Sequence, residues 1–133
     1  MSPHIAHLAL VVRDYDEAIA WYTRALRFDL VEDRPMGPGK RFVRVVPRGG
    51  SGATLVLARA ANEAQASRIG NQTGGRVFLF LHTDDFDGDY AHMRREGVAF
   101  CEEPRHEEYG TVVVFEDLYG NRWDLIEPRR AAG

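Results

Sequence analysis

His7-Leu8-Ala9-Leu10-Val11-Val12-Arg13-Asp14-Tyr15-Asp16 is answered, 71 residues later, by Phe78-Leu79-Phe80-Leu81-His82-Thr83-Asp84-Asp85-Phe86-Asp87. Leu8/Leu79, Leu10/Leu81, Asp14/Asp85 and Asp16/Asp87 are identical, Tyr15/Phe86 is aromatic in both, and Ala20/Ala91 extends the match. Repetition at a fixed offset means that one structural unit is written twice. Each copy opens with apolar residues on both faces and ends at an Asp cluster, the pattern of a strand leading to a helix start. In the first copy Asp14 and Glu17 have capping-box spacing. Ile19, Tyr22 and Leu26 then follow at i, i+3 and i+7, one stripe of a helix. In the second copy Tyr90 and Met93 repeat the stripe, and Gly97 stops the helix. Asp84, Asp85 and Asp87 look like a metal-binding cluster. Their counterparts Asp14 and Asp16 mark them instead as a helix N-terminus complementing its dipole.

Three short strands are expected after each helix. In the first unit these are Phe28–Val31, Phe42–Val46 and Thr54–Ala58, and in the second Val98–Cys101, Thr111–Phe115 and Arg122–Ile126. Pro47-Arg48-Gly49-Gly50-Ser51-Gly52 and Asp117-Leu118-Tyr119-Gly120-Asn121 read as the turns into the last strands. Glu32–Lys40, with two Gly and two Pro, reads as a lid between strands. Pro104–Gly110 reads as a polar loop carrying His106 and Tyr109. The architecture is α+β, two βαβββ modules in tandem. Module 1 runs over about residues 4–60, a linker with a flexible glycine joint over about 61–75, and module 2 over about 76–128.

The chain of 133 residues fits a single domain. Lys+Arg is 17 against Asp+Glu 20, a net charge of −3. That balance offers no electrostatic footprint for nucleic acid or an anionic membrane. One cysteine, Cys101, cannot close an intrachain disulfide and excludes multi-cysteine metal sites. It reads as a packing residue. No signal-peptide pattern opens the chain and no apolar run is long enough to span a bilayer, so a cytoplasmic location is expected.

His4-Ile5-Ala6-His7-Leu8-Ala9-Leu10-Val11-Val12-Arg13-Asp14, with Ala18-Ile19-Ala20-Trp21-Tyr22 behind it, resembles the opening of vicinal oxygen chelate proteins. These include glyoxalase I, the bleomycin and fosfomycin resistance proteins and the extradiol dioxygenases. Asp117-Leu118-Tyr119-Gly120-Asn121-Arg122-Trp123-Asp124-Leu125 is similar to that family's final strand, where a Gly-Asn turn precedes an acidic ligand. The resemblance implies that each βαβββ unit curls into a half-barrel around a cavity, and that two chains form a homodimer. It also implies a divalent metal held from the first and last strands of each unit. Those positions fall here on His7, Val56, Phe78 and Asp124. Two of them carry no ligating atom, so no metal is expected; were one present, His7 and Asp124 would hold it. The same two residues are the catalytic candidates, as a hydrogen-bonded dyad able to act as general base or to orient a polar ligand.

Strand alternation sorts the other candidates. Leu8, Leu10 and Val12 share the helix side, leaving His7, Ala9 and Val11 for the cavity. Phe78, Phe80 and His82 face it from the second unit. Thr54, Val56 and Ala58, and Arg122, Asp124 and Ile126, line it from the last strands. His82 lies four residues beyond Phe78, about 13 Å at ~3.3 Å per residue, too far to replace it as a ligand. Arg44, mid-strand, is a candidate for holding a ligand carboxylate. Tyr109 is a candidate contact from its loop. The ligand-binding set is therefore Phe78, Phe80, His82, Val56, Arg122, Arg44 and Tyr109. An apolar, aromatic pocket with few polar groups fits a small-molecule site. The expected function is binding or sequestration of an aromatic or amphipathic compound, as in drug resistance, without a cofactor. The alternatives are a divalent-metal enzyme of the glyoxalase, lyase or dioxygenase kind, and an interaction module with a vestigial cavity.

Overall fold

The computed structural model describes residues 2–50 and 52–129. The chain divides into two compact units, Met1–Ile69 and Gly70–Gly133.

In the first unit β1 (His7–Val12) runs into α1 (Tyr15–Ala25), followed by β2 (Asp29–Gly37), β3 (Lys40–Val46) and β4 (Thr54–Arg59). The sheet order is β1-β4-β3-β2, with β1 and β4 parallel and the other neighbours antiparallel. The Asp14 carboxylate caps α1, accepting the Glu17 N–H at 2.8 Å, as the spacing predicts. Leu10, Val12, Val43, Val45, Leu55 and Leu57 form the buried sheet face. Tyr15, Ala18, Trp21, Tyr22 and Ala25 of α1 are buried as well, so the covered stripe lies to one side of the expected one, with Ile19 and Leu26 half-buried. Leu8, expected with Leu10 and Val12, is 37% exposed near the start of its strand.

Two expectations fail in this unit. The Glu32–Lys40 segment is no lid: β2 continues to Gly37 and pairs with β3 as a hairpin, turning through Pro38 and Gly39. Pro35 is tolerated because β2 is the outermost strand. The hairpin is also tied to the helix. Arg41 bonds Asp33 at 2.8 Å and Asp16 at 2.9 Å, and its N–H donates to the Tyr15 hydroxyl at 3.2 Å. The linker contains a short helix, α2 (Glu63–Ala66), that the sequence reading did not expect.

The second unit holds β5 (Val77–His82), α3 (Phe86–Arg95), β6 (Ala99–Phe100), β7 (Arg105–Glu107), β8 (Gly110–Glu116) and β9 (Arg122–Pro128). Its sheet runs β5-β9-β8-β6, with β7 also paired to β8. Asp85 caps α3, its carboxylate accepting the Gly88 N–H at 3.1 Å. A Cβ at Gly88 would stand 2.2 Å from that carboxylate. The helix start is further held by Glu127, which accepts the Phe86 N–H at 2.8 Å. Gly97 has φ +80° just past the helix end. Rings run in series from Phe86 through Tyr90, Phe100, Phe115 and Trp123 to Phe78, with centroids 4.8–6.5 Å apart.

Pro104–Gly110 is not a plain loop: Arg105–Glu107 form strand β7, paired with β8 through a tight turn at Glu108-Tyr109. The glycine joint is docked rather than free: the Gln72 N–H reaches the Asn121 side chain at 3.3 Å. A Cβ at Gly70 would meet the Tyr119 carbonyl oxygen at 2.0 Å. Cys101 is exposed just beyond β6, not packed. Each sheet, open at its edges, is the curled half-barrel of the expected fold.

Candidate functional site

The first unit's sheet face away from α1 is polar at one end. Register places His7 beside Thr54, Ala9 beside Val56, and Arg44 beside Val56 and Glu32. The Thr54 hydroxyl stands 2.8 Å from His7 Nδ1, and Arg44 Nη1 is 3.5 Å from the same hydroxyl. The Glu32 carboxylate accepts from Arg44 Nε and Arg34 Nε, both at 2.8 Å. These two guanidinium groups hold the Glu32 carboxyl below the usual glutamate range. Both also stand over the Phe42 ring, at 5.3 Å for Arg34 and 6.0 Å for Arg44. His7 meets that ring edge-on at 6.1 Å. Arg44 therefore has its anionic partner within its own unit. Glu32 and Phe42 were missed in the sequence. Phe42 was legible by period-two alternation with Arg44. Glu32 was hidden because its strand was ended too early.

The second unit's corresponding face mixes apolar with charged side chains. Phe80 pairs with Asp124, His82 with Ile126, and Val114 and Val112 with Asp124 and Ile126 from the other side. Phe80 is 63% exposed. Asp124 is half-buried, and its Oδ1 is fully covered with no hydrogen-bond partner among the described residues. Burial pushes its carboxyl above the usual aspartate range, opposed by Arg105 and reinforced by Glu102. Arg105 is itself held by Glu102, through Nε at 3.0 and 3.1 Å, and by Glu107 at 2.8 Å. Tyr109 is 55% exposed in the β7–β8 turn, and Arg122 and His82 are exposed.

Phe78 departs from the alternation. The register shifts between Val77 and Leu79, so Phe78 is the extra residue of a bulge. It is half-buried, with its ring 6.5 Å from Trp123 and nearly perpendicular to it. The bulge leaves the placement of Phe80 and His82 intact, since their partners Asp124 and Ile126 alternate correctly.

The family's metal is tested by these donors. In the first unit His7 ends in a ligating atom and Val56 does not; in the second Asp124 does and Phe78 does not. A catalytic divalent ion takes about three protein ligands. Among the described residues no group of three or more His, Cys, Asp and Glu side chains could hold a metal ion. The donor set does not fit such a centre.

A protein of Shewanella frigidimarina is 55% identical over 128 residues, covering 96% of this chain and 95% of that protein. The YetH protein of Bacillus subtilis is 29% identical over 96% of this chain and all of its own length. Among solved structures, UcmS2 superposes with a TM-score of 0.82 at 29% identity, covering 96% of this chain and 99% of its own. TnmS3, described as an antibiotic binding protein from Streptomyces sp. CB03234, has a TM-score of 0.76 at 29% identity, with coverage of 96% and 98%. Residues 4–125 match the model of the Glyoxalase/Bleomycin resistance protein/Dioxygenase superfamily. With a family match over nearly its whole length, on two curled half-barrels of four and five strands, this chain belongs to that superfamily.

Proposed function

We propose that this protein binds and sequesters a small aromatic or amphipathic compound, and that it does so without a metal. The observation that carries this reading is Phe80, a large ring 63% exposed on a sheet face that it shares with Ile126, Val114 and the carboxyl of Asp124. Such a ring gains free energy when a ligand covers it, at roughly 25 cal/mol per Å² removed from water. The likeness to TnmS3, an antibiotic binding protein, supports the same class of ligand. Phe78, Phe80, His82, Arg122 and Tyr109, all in the second unit, are the contacts proposed for that ligand. Asp124, beside Phe80, serves as a polar point rather than as a metal ligand. The proposal includes a homodimer in the cytoplasm; among the described residues no helix is long and apolar enough to cross a membrane.

The test is a thermal-shift screen with planar aromatic compounds. A compound that binds only the folded state stabilises it by about 2.7 kcal/mol at one hundred times its dissociation constant. The expected result is a concentration-dependent rise in melting temperature that Phe80→Ala abolishes without lowering the unliganded melting temperature. Elemental analysis of protein purified without chelator accompanies it. About one tightly held divalent ion per chain, lost on His7→Ala or Asp124→Ala, would overturn the metal-free reading.

A further inference from the structure

Asp124 combines two properties that a structural carboxylate rarely has together. No hydrogen bond or ion pair from the described residues reaches it, and its Oδ1 is fully covered. Buried carboxylates ordinarily recover their lost hydration through donors placed around them. Asp117, in the same unit, does so with four. Asp124 has apolar neighbours instead: Phe80 beside it on β5 and Val114 beside it on β8. Neighbouring strands lie about 4.8 Å apart. A group one or two bonds out from an aromatic ring resting on Phe80 therefore comes within reach of the carboxyl.

The charges on this face select the kind of group. Arg105, the cation acting on Asp124, already bonds Glu102 and Glu107. Register puts Arg122 beside the oppositely charged Glu116. Among the described residues the carboxylate of Asp124 has no ion-pair partner of its own. Only Oδ1 is fully covered, so Oδ2 is the atom left to meet a ligand. A carboxylate in apolar surroundings adds a direct Coulomb attraction to its hydrogen bond with an ammonium, forms only the hydrogen bond with a neutral donor, and repels an anion.

Resting on the small-molecule reading above, we infer that Asp124 anchors a protonated amine carried on an aromatic body that covers Phe80. The ligand class is thus an aromatic ammonium compound, not an aromatic acid.

Calorimetric titration with three probes sharing one ring tests this: 2-naphthylmethylammonium, 2-naphthylmethanol and 2-naphthoate. The wild-type protein is expected to bind the ammonium about tenfold more tightly than the alcohol, and the alcohol more tightly than the acid. Asp124→Asn, which keeps size and shape, should bring the ammonium and the alcohol to equal affinity. Phe80→Ala should weaken all three alike, because it removes the shared ring contact. Melting curves of both variants verify that they are folded. Equal affinity for the three probes, preference for the acid, or an ammonium preference that survives Asp124→Asn overturns the inference and leaves the small-molecule reading standing. Failure of all three probes to bind at millimolar concentration overturns both.

Discussion

Asp117 and Glu32 are the two carboxylates on which the most local structure depends, and they work differently. Asp117 is buried and accepts from the Tyr119 and Asn121 N–H groups at 3.0 Å, from Asn121 Nδ2 at 3.0 Å and from the Trp123 indole at 3.3 Å. It both shapes the β8–β9 turn and fixes the Trp123 ring beneath the strand that carries Asp124. Removing it strands several donors, each costing about 1–3 kcal/mol. Asp117→Ala should therefore destabilise by several kcal/mol in urea unfolding, and an effect below about 1 kcal/mol would contradict this assignment. Glu32 sits nearer to water and acts through charge. Its carboxyl is lowered by Arg34 and Arg44. Between its folded and unfolded pKa values the native state binds fewer protons, so stability rises with pH through that window. The contribution is complete above the unfolded value of about 4.3 and is lost as pH falls through the folded one. Glu32→Gln should lower the urea midpoint at pH 7, and the gap to wild type should close at pH 3. A gap independent of pH would mean that Glu32 acts by packing alone.

At the scale of the element, each sheet has a face against its helix and a face away from it, and mutation separates them. Leu10 is fully buried and Phe80 is not. Leu10→Ala should cost about 2–5 kcal/mol, and Phe80→Ala should stay within about 0.5 kcal/mol in the absence of ligand. Comparable losses for both would invert the face assignment of β5. The same alternation made most of the architecture legible beforehand. The 71-residue offset located both first strands and both helix caps, because a capping Asp and a period-two strand are local signals. What escaped was set by contacts distant in sequence. β2 extends through Pro35 and Gly37 because β3 pairs with it and Arg41 ties it to Asp33 and Asp16. β7 exists because β8 offers its edge. Phe78 leaves the alternation through a register shift against β9. The candidate residues on each face were largely named, yet their partners were not. Arg44 was expected to await a ligand's carboxylate, and the longer hairpin supplies Glu32 instead.

For the whole molecule, the exposed apolar side chains bear on assembly. Ile5 is 71% exposed and Leu8 37%, at the start of β1, and Phe80 is 63% exposed on β5. Both strands are terminal in their own sheets. Each is apolar and unbroken by charge or proline, unlike the outer strand β2, which carries Glu32, Asp33, Arg34 and Pro35. Natural sheets protect a free edge with charges and proline, as β2 does. Apolar side chains left in water beside unprotected edges favour association, and a closed twofold pair is the commonest solution. Sedimentation equilibrium at tens of micromolar should therefore give about twice the 15.0 kDa chain mass. Ile5→Glu, which alters a side chain already facing water, should leave the unfolding midpoint of a dilute sample unchanged and shift the equilibrium toward monomer. Exchange of Ile5 without effect on a stable dimer would move the interface elsewhere, and a 15.0 kDa species for wild type would remove the dimer altogether. Salt separates the driving forces: an apolar interface holds or tightens as ionic strength rises, whereas one built from the Arg and Glu side chains of β2 would loosen.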